Sequence, residues 1–224
     1  MSNAHSRSEY QAEYLGRISY DRGLTAQEEA LLGLESENTS VIVLGLEHDP
    51  VITLGIRGKI DVDLLVSESS LLERGFVVRK SHRGGQATLH VPGQLVIYPI
   101  CDLRKLGLGA RDYVCVIEKA TGSWLTSLGV QWQRSEDEPG IFVGSEKLVA
   151  FGFRIAHGKS SHGLAINVTN SPTDFSLIRT CGVGGQLVTN LKAQGAPTDL
   201  PKLFSSWLTH FYLTLDEPAC RGLA

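Results

Sequence analysis

The sequence predicts a single α+β domain built on a mixed or antiparallel sheet with flanking helices. Two observations carry this reading. Short, β-branched, apolar runs punctuated by turn residues fill the middle of the chain, while helical periodicity appears before them, once among them and after them. These runs also lack the regular strand–helix alternation that a doubly wound parallel sheet requires. The 224 residues, 42% hydrophobic and 20% charged, suit one domain with a sizeable core.

The elements follow in order. Met1–Ser8 is polar and is read as a disordered or extraneous leader, so the domain is taken to run over residues 9–224. Thr25 followed by Glu28 fits a capping box opening a helix through "TAQEEALLGLESE". "SVIVLGLEH" reads as a buried strand, and "PVITLG" as a second strand or turn. "GFVVRKS" is a strand, as are "QATLH" and "QLVIYPI" on either side of Val91-Pro92-Gly93. "ARDYVCVIEKATGSWLTSLG" places Tyr113, Val114, Ile117, Trp124 and Leu125 at helical spacing. Three strands follow, "GIFVG", "EKLVAFGFRIAHG" and "SHGLAINVT", with turns expected at Gly144-Ser145 and across "HGKSSH". "LPKLFSSWLTHFYLTL" closes the chain as an amphipathic helix.

Composition narrows the function. The formal net charge of -3 gives no basic footprint for nucleic acid. No run is long and apolar enough for a membrane span, and no apolar leader precedes the domain. The expectation is a cytoplasmic protein with reduced thiols. Cys101, Cys115, Cys181 and Cys220 form no C-x-x-C pair, so no zinc or thioredoxin-type motif is expected.

Two residues stand out chemically. Cys181 lies in "LIRTCGVGGQLVTN" beside Gly182, where a substrate has room to approach the sulfur. A nucleophilic thiolate needs a nearby cation or base; without one, the residue is a small buried hydrophobe. Lys147 stands at the mouth of an apolar strand. Such a lysine either snorkels to solvent or supplies a partly desolvated ammonium that stabilises a thiolate and shuttles a proton. Spacing alone does not bring the two together. His90 and His162, both next to glycine-containing turns, either orient a carbonyl or serve structure. "RGGQ" lacks the phosphate-loop pattern, and its glycines either offer N–H groups to an oxyanion or shape a turn.

Taken together, "HRGGQATLHVPGQ", "GSEKLVAFGFRIAHGKSSHGLAINV", "TCG" and "HDPVITLGIRGK" resemble the ordered motifs of the lipoyl(octanoyl) transferase family, the octanoyltransferases of lipoate synthesis. The similarity covers roughly Val43 to Val188. It implies a lipoate/biotin-protein ligase-like fold and no cofactor. It also implies transfer of an octanoyl or lipoyl group, through a thioester on Cys181, from octanoyl-acyl carrier protein to a lysine. The acceptors implied are lipoyl domains of 2-oxoacid dehydrogenase complexes and the glycine cleavage H protein, with neither nucleic acid nor membrane as partner. Lys147 matches the lysine of the family's Cys-Lys dyad. Arg83, Gly84, Gly85, Gln86, Ala87, Thr88, Leu89 and His90 match the substrate loop. Ala150, Phe151, Gly152, Gly163, Leu164 and Ala165 match strand positions lining the acyl site, with His162 and Gly182 in support. Leu89 stands where the family has tyrosine and Val91 where it has glycine. The alternatives are an ATP-dependent lipoate- or biotin-protein ligase, and a non-catalytic module that binds lipoyl domains or acyl carrier protein.

Overall fold

The computed structural model describes residues 10–36, 38–135, 138–179 and 187–217. In chain order its elements are β1 (Tyr10–Ile18), α1 (Tyr20–Gly33), β2 (Val41–His48), β3 (Val51–Leu54), α2 (Ile60–Asp63), α3 (Glu68–Glu73), β4 (Val77–Lys80), β5 (Ala87–His90), β6 (Gln94–Cys101), α4 (Leu103–Leu106), α5 (Ala110–Ser127), β7 (Gln133–Arg134), β8 (Gly140–Val143), β9 (Glu146–Ala156), β10 (Lys159–Asn167) and α6 (Leu200–Leu215). Seven strands form one sheet in the order β1-β2-β6-β10-β9-β8-β7, and β4-β3-β5 form a second. The fold is α+β with mixed sheets, as the sequence predicts.

Both faces of the large sheet are covered, which explains its unbroken apolar strands. Val41, Val43, Leu95, Ile97, Leu164 and Ile166 point into a core shared with α5 and α6, where Trp124, Trp207 and Phe211 are fully buried. The alternate residues Leu44, Leu46, Val96, Tyr98, Ile100 and Ala165 meet α1 through Ala30 and Leu34. The strand period of two thus sorts one sequence into two cores.

Three details differ from the sequence reading, and in a fourth place an expected strand holds where a proline would be thought to break it. First, α1 begins at Tyr20, not at Thr25. Ser19 caps it, its hydroxyl accepting from the Arg22 N–H at 3.3 Å, while Thr25 lies inside and donates to the Asp21 carbonyl. Burial decides this, because Tyr20, Gly23, Gln27 and Ala30 make a continuous inner face that extends past the apparent capping box. Second, Tyr10–Ile18 is a strand that the sequence did not announce. It pairs parallel to β2 across α1, forming a local βαβ unit at the sheet edge. Third, the turn after β9 is only His157-Gly158. Both have positive φ (54° and 79°), as a two-residue type I′ hairpin demands, so β10 already begins at Lys159. Fourth, Pro99 sits in the interior strand β6, a position proline normally avoids. There the Ser160 hydroxyl accepts from the Cys101 N–H and donates to the Pro99 carbonyl, bridging the gap in the ladder.

The small sheet has its own core of Ile52, Leu54, Ala87, Leu89 and Val91, closed by Leu71, Phe76, Leu177 and Ile178. Its other face turns toward β9 and carries the candidate site.

Candidate active site

A cavity of about 420 Å³ lies between the Arg83–Thr88 loop, β9 and α5. That volume falls within the range of small-molecule sites. Its wall is largely apolar: Phe151, Phe153 and Ile155 come from β9, Val114 from α5, and Phe175 and Val188 close it. Phe151 and Phe153 stack at 5.5 Å, and Phe153 meets Tyr113 edge-on. Polar groups enter at one side, chiefly Lys147, Gln94 and Asn167.

The glycine-rich loop is held by its own arginine. Arg83 is 93% buried and donates from Nε to Thr53 Oγ1 (3.0 Å), from Nη1 to the Gly84 carbonyl (2.9 Å), and from Nη2 to the carbonyls of Thr53 (2.6 Å) and Gln86 (2.8 Å). The Gly84 N–H donates to the Phe153 carbonyl, and the N–H groups of Gly55, Ile56 and Arg57 donate to the carbonyls of Gln86, Arg83 and Gly85. Gly55 must be glycine, because a Cβ there would lie 2.5 Å from the Gly85 carbonyl oxygen. Arg83 therefore borders the cavity as the fastener of the loop, since every guanidinium nitrogen already has a protein acceptor. The Gly84 N–H is likewise occupied and is removed from the candidate oxyanion donors.

Lys147 is 7% exposed and lines the cavity. Its stem runs over Gly140, where a Cβ would lie 3.3 Å from Lys147 Cε. Its Nζ sits 3.0 Å from Glu138 Oε2 and 5.2 Å from the centre of the Phe142 ring. The backbone is pinned as firmly. The Lys147 N–H donates to the Leu187 carbonyl at 2.9 Å, and the Thr189 N–H donates to the Lys147 carbonyl at 3.1 Å. The same carbonyl accepts from Asn167 Nδ2; Asn167 Oδ1 accepts from Gln94 Nε2, and Gln94 Oε1 meets His90 Nδ1 at 3.1 Å. A continuous polar chain thus links His90 to the lysine's main chain.

A smaller cavity of about 40 Å³ adjoins the first across Arg83, Thr88 and Ala150–Gly152. It is lined by Tyr20, His90, Tyr98, His162, Gly163, Leu164 and Ala165. His162 adopts φ 56° and its N–H donates to Gln27 Oε1 at 2.7 Å. Behind it, His48 Nε2 lies 2.7 Å from the Tyr98 hydroxyl. Burial lowers the His48 and His162 pKa values to about 4, with Arg83 adding to the effect on His162. Burial, then the neighbouring His48 and Arg83, pushes His90 well below the ordinary value.

These histidines make the fold acid-sensitive. His48 and His162 each stay neutral when folded and bind a proton when unfolded between the ordinary pKa of 6.5 and about 4. The unfolded chain binds more protons in that window, so stability is full above pH 6.5 and falls as pH drops through it. For each ring the drop from 6.5 to about 4 corresponds to at most about 3–4 kcal/mol. Urea midpoints are expected to fall steeply from pH 6.5 to 4.5, less so in His48→Gln. Flat midpoints would show that these rings protonate without cost.

The structure gathers Arg83, Gly84, Gly85, Gln86, Ala87, Thr88, Lys147, Ala150, Phe151 and Gly152 around the large cavity, and His90, His162, Gly163, Leu164 and Ala165 around the small one. Leu89 is a correction: it lines neither cavity and packs into the small sheet's core opposite Ile52, because strand alternation turns it away from Thr88 and His90. Val91 lies in that same core, so neither departure from the family pattern faces the cavities. Cys181 and Gly182 lie outside the described residues. Of the other cysteines, Cys101 is buried in the core, with its thiol pushed up to about 12 by burial. Sequence reasoning missed Glu138, Gln94 and Asn167 as members of the lysine's surroundings. The glutamine and the asparagine stood inside the family motifs, and the glutamate did not.

The sheet order and its two helical covers define a chain of the lipoate- and biotin-ligase fold. A crystal structure of lipoate-protein ligase A bound with ATP matches with a TM-score of 0.77 at 15% identity, covering 92% of this chain and 85% of that one. A bi-partite lipoate protein ligase from Thermoplasma acidophilum, described with its E2 lipoyl domain, matches at 0.74 and 15%, covering 94% and 84%. A biotin protein ligase from Aquifex aeolicus matches at 0.53 and 10%, covering 95% and 72%. These likenesses concern the fold alone.

The lipoyl protein ligase A/B catalytic domain matches residues 19–212. The octanoyltransferase of Halorhodospira halophila is 39% identical over 190 residues, 85% of this chain and 84% of that protein. That of Desulforamulus reducens is 37% identical over 207 residues, 91% and 90%. The chain belongs to the lipoyl protein ligase A/B family and, within it, to the octanoyltransferases, which are acyltransferases.

Proposed function

We propose that this acyltransferase takes an octanoyl or lipoyl group from acyl carrier protein onto Cys181 and passes it to a lysine ε-amine of a lipoyl domain. The observation that carries this reading is the apolar cavity bordered by Lys147, whose main chain is bonded to Leu187 and Thr189, shortly after Cys181 in the chain. The relatives' shared name supports the acyl group, and the neighbour described with its E2 lipoyl domain supports the acceptor.

In this mechanism Lys147 as an ammonium favours the Cys181 thiolate. The thiolate attacks the donor's thioester carbonyl, the bond to the donor sulfur breaks, and that sulfur takes the lysine's proton. The acceptor's neutral amine then attacks the acyl-cysteine. The carbon–Sγ bond breaks, an amide forms, and the amine's proton returns to Lys147. One thioester bond is exchanged for another before the amide forms, so the cycle needs no ATP and no cofactor. Phe151, Phe153 and Ile155 shelter the acyl chain from water. We place the enzyme in the cytoplasm, with lipoyl domains of 2-oxoacid dehydrogenase complexes and the glycine cleavage H protein as acceptors.

Intact-protein mass spectrometry after incubation with octanoyl-acyl carrier protein, without ATP, tests this. Wild type is expected to gain one hydroxylamine-labile octanoyl group, and Cys181→Ala none. An adduct that survives in Cys181→Ala, or one that requires ATP, overturns the reading.

A further inference from the structure

We infer that Glu138 is the positioning residue that holds Lys147 for both halves of the reaction; this rests on the proposed role of Lys147. The lysine's chain lies over Gly140 and under the reach of Phe142, and its Nζ meets Glu138 Oε2 at 3.0 Å. Both side chains are largely out of solvent, 9% exposed for the lysine and 16% for the glutamate, so water screens the pair weakly. The carboxylate accepts one N–H of Nζ whether the lysine is an ammonium or a neutral amine. The other positions on the nitrogen are then left toward the cavity, where one proton is given to the departing donor sulfur and one is taken from the attacking amine. Glu138 itself gains and loses no proton in the cycle.

The other charged groups of the site come from different elements. Arg57 and Arg83 border the cavity from the loop side, and Glu118 borders it from α5, where it pairs with Arg134 at 3.4 Å. Glu146 precedes the lysine on β9. Arg83 is tied into its loop and Glu118 to its own arginine, which leaves Glu138 as the carboxylate in direct contact with Nζ.

Without the carboxylate, Nζ loses the acceptor that holds it beside the cavity. In Glu138→Gln, acyl-enzyme formation and transfer to the lipoyl domain are both expected to fall by up to about a hundredfold in kcat with KM little changed, and Glu138→Asp to restore much of both. A merely structural role would lower the urea midpoint and leave the kcat of the folded protein unchanged. The companion measurement needs no acyl donor: the rate of reductive methylation at Lys147 at one fixed pH, read by peptide mass spectrometry, in wild type and Glu138→Gln. Faster methylation in the variant supports the inference even where no acyl-enzyme forms on wild type, an outcome that would fail the proposed reaction alone. An unchanged methylation rate overturns the inference.

Discussion

Lys147→Met is expected to slow octanoyl transfer by about a thousandfold, the scale of a lost general acid–base group, while the protein still folds. Methionine keeps the stem over Gly140 as far as Cε, and it deletes the Nζ that sits over the Phe142 ring together with its charge and transferable protons. The substitution also leaves the Glu138 carboxylate without its 3.0 Å partner. Loss of this charge-assisted hydrogen bond costs about 1.5–3 kcal/mol, so the thermal midpoint should fall modestly. Lys147→Met combined with Glu138→Gln separates the two effects: stability should recover, activity should not. Single-turnover transfer from octanoyl-acyl carrier protein, beside urea unfolding, measures both. Retention of most activity in Lys147→Met would remove the lysine from the chemistry.

Gly163→Ala is the second large effect, and it acts on the fold. A Cβ at residue 163 would lie 2.0 Å from the Ile97 carbonyl oxygen and 2.8 Å from Pro99 Cδ. Neither neighbour swings aside, since one is backbone and the other a proline ring. β10 would have to lift from β6 where Leu164 pairs with Ile97, in the middle of the sheet. A loss of about 3 kcal/mol or more follows, at the upper end of overpacking costs. The smaller cavity would be distorted too, because Gly163 lines it beside His162. Urea denaturation of Gly163→Ala against Ser161→Ala, a smaller change on the same strand, checks this. Equal midpoints would show that the two strands can separate cheaply.

Much of the architecture is legible in the chain. β2 and β6 announce themselves because strands buried on both faces are continuous apolar runs. α6 matches its expected span, since its apolar stripe and the proline in its first turn are both local signals. β1 was not legible. "YQAEYLGRI" mixes polar residues onto an edge strand, and its partner β2 lies across a helix.

The candidate site divides the same way. By itself the sequence determined the family and singled out the glycine-rich loop and Lys147, because these are carried by ordered motifs of residue types. The tertiary structure alone decided where those side chains point and what they touch. It turned Arg83 inward to fasten its loop and rotated Leu89 into the small sheet's core. It also laid Lys147 across Gly140 to reach Glu138, nine positions before it and just ahead of β8. The physical reason is that a motif records which groups are present. The direction of a side chain is set by strand alternation and by the donors and acceptors that the fold brings within about 3 Å.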